Sequence, residues 1–143
     1  MSPLLIGADH AGFSLKEYLK KELLLRGYSV TDATPKFAEG DDYPPIARQV
    51  AREIAKGKKL GILICGTGLG MDIAANRIKG VRAVVIRDEE DAKLSREHNH
   101  ANILILGGRS TKPEKAKKLV DTWLQATPSR EARHLRRVKQ LDR

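Results

Sequence analysis

The sequence predicts an α/β fold of three layers, Rossmann-like, with a five-stranded parallel sheet between helices and a C-terminal helix. Five short apolar runs alternate with longer segments of helical period along the 143 residues, the pattern of successive βαβ units. The runs are largely apolar rather than alternating with polar residues, as strands covered on both faces require. A third observation places the chemistry. The run over 60–65 stops at the chain's single cysteine, and Gly66-Thr67-Gly68-Leu69-Gly70 follows.

The first strand is expected over 4–8. A helix follows over 13–26, with Phe13, Leu15, Leu19, Leu23 and Leu24 apolar and Gly27 as its C-terminal cap. Residues 28–32 make the second strand. A loop rich in proline, glycine and acidic residues then runs to Pro45, and its length marks it as functional. A helix over 46–56 ends at Gly57, the third strand covers 60–65, and a helix over 72–78 follows the glycine loop. The fourth strand spans 81–86. Asp88 caps a helix running through His98, with acidic residues in its first turn as the helix dipole favours. The fifth strand spans 103–106. Thr111-Lys112-Pro113-Glu114 has capping-box spacing and opens a helix to about 127. Pro128 precedes a last helix over about 129–142. With no repeat, low-complexity segment or linker, residues 1–143 are expected to form one domain.

Composition bounds the function. One cysteine cannot make an internal disulfide or a Cys-x-x-Cys site, so a reducing, cytoplasmic setting is expected. Met1 to Gly7 lack a basic leader region, and no stretch approaches a membrane span, so no membrane association is expected. The formal charge of +9 favours an anionic partner: a phosphorylated metabolite, an acidic surface or nucleic acid. Arg130, Arg133, Arg136, Arg137, Lys139 and Arg143 crowd the last quarter. Arg130, Arg133 and Arg137 share one helical face, with Leu135, Val138 and Leu141 on another. Such a stripe fits a solvated face, a phosphate site or nucleic acid equally. Aromatics at 4% disfavour single-strand stacking, which makes nucleic acid the weaker reading.

Ligands of parallel sheets bind beyond the carboxyl ends of the strands. That edge should carry Asp9-His10, Cys65 with its loop, Arg87-Asp88 and Gly107-Gly108-Arg109. Cys65 fits either a thiol beside an anion-stabilising loop or a small core residue. The glycine spacing is not Gly-x-Gly-x-x-Gly, and Gly70-Met71-Asp72 denies a P-loop, so no nucleotide cofactor is expected. His98-Asn99-His100 lacks accompanying ligands at metal spacing and fits either catalysis or a polar helix terminus. Asp9 fits a polar pair at the functional edge or a cap of the next helix.

With these pieces in view, the chain resembles the B-type ribose-5-phosphate isomerases, a family that also holds galactose-6-phosphate and allose-6-phosphate isomerases. The resemblance spans nearly the whole length. It rests on Gly7-Ala8-Asp9-His10-Ala11-Gly12, Asp42-Tyr43-Pro44, Ile64-Cys65-Gly66-Thr67-Gly68-Leu69-Gly70, Ile73-Ala74-Ala75-Asn76, Ser95-Arg96-Glu97-His98-Asn99, Gly107-Gly108-Arg109 and Arg133-His134-x-x-Arg137. It implies an aldose–ketose isomerase acting without metal or organic cofactor through an enediolate. In that reading Cys65 as thiolate moves the proton between C2 and C1, with Thr67 supporting it by hydrogen bonding. His98 opens the furanose ring, and Asp9 stands near the sugar hydroxyls. Asn99 and the amides of Gly66, Gly68 and Gly70 hold the enediolate oxygens. His10, Arg109, Arg133 and Arg137 grip the phosphate, and Tyr43 lines the sugar pocket. The resemblance further implies a homodimer or dimer of dimers with shared sites, the arginine-rich helix reaching the partner. Met71 stands where some relatives carry a glutamate base, which leaves the task to Cys65. His100 stands where Asp or Asn is common, which admits an altered sugar preference. Outside the family, a thiol hydrolase pairing Cys65 with His98 and a basic nucleic-acid-binding module are the competing readings.

Overall fold

The structure, a computed structural model, describes residues 1–142; Arg143 of the basic run lies outside the described residues. Five strands alternate with helices in the expected order: β1 (Leu4–Ala8), α1 (Phe13–Leu25), β2 (Val30–Asp32), α2 (Tyr43–Ile54), β3 (Leu60–Cys65), α3 (Leu69–Ala75), β4 (Ala83–Val85), α4 (Glu89–Glu97), β5 (Ile103–Gly107), α5 (Pro113–Gln125) and α6 (Ala132–Leu141). All strand pairs are parallel, in the order β2-β1-β3-β5-β4.

Period-2 alternation splits each buried strand between two cores. Ile62, Ile64, Leu104 and Leu106 face α1, α4 and α5, where Leu19, Leu23, Leu119 and the buried Trp123 pack on them. Leu63, Cys65, Ile103 and Ile105 face α2 and α3, meeting Val50, Ile54, Met71 and Ala75. Both faces are therefore covered, the physical reason the strands carry few polar residues.

Several boundaries depart from expectation, each for a local reason. Helix α2 begins at Tyr43 rather than 46, because Pro44 and Pro45 fall in a first turn whose N–H groups lack helical acceptors anyway. Helix α3 begins at Leu69 rather than 72. Gly68 takes φ 85° as its N-cap, so Gly70 is already helical and the loop is shorter than the glycines suggested. The capping box at Thr111 does not form: Lys112 is the N-cap, without a side-chain bond, and the Thr111 amide donates to Gly107 O at 3.0 Å. The last helix starts at Ala132 instead of 129, because the backbone of Ser129 is engaged with α4 on both sides of its residue. Its N–H donates to Glu97 O, and its carbonyl pairs with His100 Nε2 at 2.8 Å. Strand β4 shrinks to an edge strand whose outer backbone is closed by Asn76. That side-chain amide exchanges two 2.8 Å hydrogen bonds with Ala83.

Candidate active site

Strands β1 and β3 are neighbours whose onward connections run to opposite sides, β1 toward β2 and β3 past β5 to β4. Such a reversal opens a crevice at the carboxyl ends of the two strands. Ala8 pairs with Ile64 and Cys65 with Gly107. This register sets Asp9, Cys65 and the Gly108–Arg109 turn side by side, and Gly108 N donates to Cys65 O at 2.7 Å.

Cys65 is buried, and its Sγ accepts a hydrogen bond from Gly68 N at 3.2 Å. The resemblance assigned that support to Thr67, which lines the same cavity and whose hydroxyl accepts from Leu69 N at 3.3 Å. The left-handed turn at Gly68 aims its backbone N–H at the sulfur. The amides of Gly66, Thr67 and Gly70 donate to nothing else among the described residues, which leaves them free to hold a developing oxyanion. Gly70 is required by packing: a Cβ there would stand 2.8 Å from the Tyr43 hydroxyl, inside the ring's contact surface. The Arg109 guanidinium lies equally close to Gly66, with Nη1 3.0 Å from where a Cβ would sit.

Asp9 is buried, and its Oδ1 accepts from the amides of Ala11 and Gly12 at 3.0 and 3.1 Å. It therefore closes the turn before α1 and fronts the crevice, while the N-cap of α1 itself is Gly12, without a side-chain cap. His10 sits beside it, with its amide donating to Asp41 Oδ1 at 2.7 Å. A cavity of about 300 Å³ lies between Asp9, His10, Tyr43, Arg109 and the Cys65–Gly70 loop. A larger hollow of about 580 Å³ runs along the outside of α1, but its one carboxylate, Glu17, is paired with Lys16 and Lys20. The smaller cavity is the candidate site, because it alone of the two joins a thiol, a carboxylate, an imidazole and a guanidinium.

Four expected residues are elsewhere. Helix α4 starts beyond the carboxyl end of β4 and returns to the amino end of β5, so His98 and Asn99 stand at the opposite edge of the sheet. A five-residue strand separates the two edges by roughly 16 Å. The His98 ring stacks on His134 with centroids 4.3 Å apart and 10° between planes. Helix α6 is further held by Arg82 Nη1, 2.7 Å from both oxygens of Asp142. This places Arg133 and Arg137 beside His98, both exposed; Arg133 contacts Glu131 at 2.9 Å, and Arg137 forms no ion pair among the described residues. His134 is buried, and its pKa is held below the ordinary histidine value by burial, then by His98 and Arg133. A one-chain thiol hydrolase pairing Cys65 with His98 is excluded by this separation.

His100, singled out for a change in sugar preference, has a structural task instead. It takes φ 49° and ties Ser129 through Nε2. Met71 is fully buried in the core, and its thioether has no proton-accepting group that could serve as a base. Asp72 is half-buried, with its pKa raised by burial against the opposing hydrogen bond from Asn76 at 2.7 Å, and does not line the cavity. Among the described residues no three His, Cys, Asp or Glu side chains cluster as a metal site, and no helix is long and apolar enough to cross a membrane. The Gly68 amide, expected at the enediolate oxygens, donates instead to the Cys65 sulfur, and Asp41 beside His10 was not singled out from sequence at all. The long acidic loop was the available signal for Asp41, whereas an amide direction leaves no trace in side-chain chemistry.

Comparison with known proteins fits this geometry. A family model for ribose/galactose isomerases matches residues 4–141. Ribose-5-phosphate isomerase B of Escherichia coli (strain K12) is 45% identical over 140 residues, covering 97% of this chain and 93% of the relative. The crystal structure of a ribose 5-phosphate isomerase from Thermotoga maritima matches with a TM-score of 0.93 at 45% identity, covering 99% of this chain and 97% of that one. A second structure, ribose-5-phosphate isomerase B from Mycoplasma genitalium with bound ribulose-5-phosphate, has a TM-score of 0.92 at 39% identity, covering 97% and 93%. The chain belongs to the ribose/galactose isomerase family.

Proposed function

We propose that this protein interconverts ribose 5-phosphate and ribulose 5-phosphate, with Cys65 as the base that carries the proton between C2 and C1. The observation that carries the reading is the buried thiol set against free amides at the mouth of a polar cavity. The bound ligand and the name of the relatives support the five-carbon substrate. In the forward direction the Cys65 thiolate takes the C2 proton of the open-chain aldose. The electron pair moves through C1 to the carbonyl oxygen, giving an enediolate. The amides of Gly66, Thr67 and Gly70 then meet oxygens whose charge appears only as the proton leaves, the condition under which fixed dipoles accelerate a reaction most. The C2 hydroxyl proton passes to O1, and the thiol returns its proton to C1 as the electron pair on O2 closes the C2 carbonyl of the ketose. The Gly68 N–H supports the sulfur while it is anionic, and Asp9 orients the sugar hydroxyls. His10 and Arg109 receive the phosphate, and Tyr43 walls the sugar. Side chains and amides supply every charge this sequence of steps needs, so the reaction is proposed to run without metal or organic cofactor.

The site is proposed to be shared between two copies of the chain, as a homodimer or a dimer of dimers. His98, Asn99, Arg133 and Arg137 gather at the edge opposite Cys65, and a two-fold axis that seats one copy's amino edge on the other's carboxyl edge completes two sites at once. Leu69 and Ile73 on α3, with Leu135 and Leu141 on α6, are exposed apolar residues flanking the two edges, which supports their burial against a partner. His98 from the second copy then serves ring opening, Asn99 the enediolate, and the two arginines the phosphate. A cytoplasmic, single-domain enzyme is the setting proposed for this chemistry.

The test is a turnover panel of ribose 5-phosphate, allose 6-phosphate and galactose 6-phosphate, each run with and without EDTA. Ribose 5-phosphate should be isomerised with the highest kcat/KM, and chelation should not change the rate. Turnover of none of the three contradicts the isomerase reading, and preference for a six-carbon sugar corrects the substrate.

A further inference from the structure

Asp41 reaches His10 from a different part of the chain, 31 residues on. Its Oδ1 accepts from the His10 amide at 2.7 Å and stands 3.1 Å from Nδ1 of the ring. The Asp41 carbonyl oxygen is a second acceptor, 3.3 Å from the same nitrogen. Both acceptors therefore meet Nδ1, while Nε2 makes no hydrogen bond among the described residues and His10 lines the cavity. A carboxylate can only accept, so this arrangement keeps a proton on Nδ1, and in the doubly protonated ring Nε2–H is the donor left to meet an anionic ligand.

The loop carrying Asp41 is tethered where it leaves β2. The Ala8 amide donates to Thr34 Oγ1 at 3.0 Å, and Lys16 Nζ donates to Thr34 O at 2.6 Å. Lys16 is wholly buried and pairs with Asp32 at 2.8 Å, so this end of the loop is held by the corner of β1, β2 and α1. At the other end Asp42 leads directly into α2. Asp41 is thus placed by the fold, with its side chain only a quarter exposed. A bare carboxylate so close to a phosphate site would repel the substrate. Set behind an imidazole, it instead accepts one ring N–H while the other ring nitrogen addresses the phosphate, so the ring separates the two anions.

We infer that Asp41 is a positioning residue for the anionic end of the substrate: it fixes the His10 ring so that Nε2 faces the phosphate. The inference rests on the sugar-phosphate reading given above. Asp41→Asn keeps a side-chain oxygen acceptor at similar size, and Asp41→Leu removes it and leaves only the longer main-chain contact at 3.3 Å. In steady-state kinetics on ribose 5-phosphate, Asp41→Leu should raise KM about tenfold while kcat moves less than about twofold, and Asp41→Asn should recover most of that loss. Nitrogen NMR of the His10 ring should show Nδ1 protonated in the parent protein, with Nε2 protonated as well when phosphate is bound, and a mixture of tautomers in Asp41→Leu. Titrated inorganic phosphate should shift His10 Nε2 and bind Asp41→Leu about tenfold more weakly. If the leucine variant does not fold, Asp41→Ala takes its place with the same readouts. The inference is overturned if Asp41→Leu keeps the parent's ring protonation pattern and phosphate affinity, if the loss falls on kcat, or if Asp41→Asn is as impaired. Should the parent protein turn over no sugar phosphate, the functional reading fails separately, and the phosphate titration at His10 still decides the role of Asp41.

Discussion

The two edges of the sheet hold polar groups of different kinds. At the carboxyl edge the working groups are short side chains and backbone amides locked by strand ends: Cys65 buried under a Gly68 N–H, and Asp9 closing its own turn. At the amino edge they stand at the end of α4 and along α6, held by one ring stack and the Arg82–Asp142 pair, with long cationic side chains extending into solvent. Rigid, short-range groups suit bond making, where misplacement of an ångström is costly. Long arginines suit the grip of a phosphate distant from the reacting carbons. Under the proposed shared site, one chain carries both halves of a site that two copies complete.

The hardest blow to the carboxyl edge is Cys65→Ala. It should cut isomerisation about a thousandfold, in the range of a lost general base, because Met71 is apolar and Asp72 is turned to Asn76. The fold should survive, since alanine at this buried position leaves only a small void. Residual turnover above roughly a twentieth of the parent rate would assign the base elsewhere.

The amino edge is broken more gently, by pH. The folded-state pKa of His134 lies below its ordinary value, so in the window between the two the unfolded form binds the proton and the folded form does not. The docking of α6 is therefore fully stable above the ordinary histidine value and weakens as pH falls through that window. Trypsin cleavage at the arginines of α6 should speed up on acidification, while carboxyl-edge peptides stay protected. His134→Phe, which keeps a ring on His98, should abolish that pH dependence. An unchanged cleavage pattern from neutral to mildly acid pH would remove His134 from the docking of α6.

The two edges also differ in how much of them could be read from the residues. Alternating apolar runs and helical periods announced the parallel sheet, and the carboxyl-edge positions followed because strand ends are marked by Asp9, Cys65 and Gly107. Strand order was not legible, since β4 and β5 are equally apolar and nothing local tells which one borders β3. Thr111 misled because its spacing satisfies the capping-box pattern, while Pro113 at the head of the helix moved the cap to Lys112. The separation of His98 from Cys65 was hidden for a similar reason. It depends on which way α4 runs, a property of the assembled layers, whereas motif resemblance lists residues without regard to the chain that supplies them.

Subunit exchange decides whether the two edges meet across a two-fold axis, as proposed. Chains bearing Cys65→Ala are mixed with chains bearing Arg137→Ala, and activity is read well below KM after exchange is confirmed by mass spectrometry. Each mixed dimer then holds one site with both defects and one with neither. With half the dimers mixed, activity should return to about a quarter of the parent protein from two nearly inactive preparations. If Cys65 and Arg137 of the same chain served one site, every site would carry a defect; confirmed exchange with no recovery would contradict the shared site.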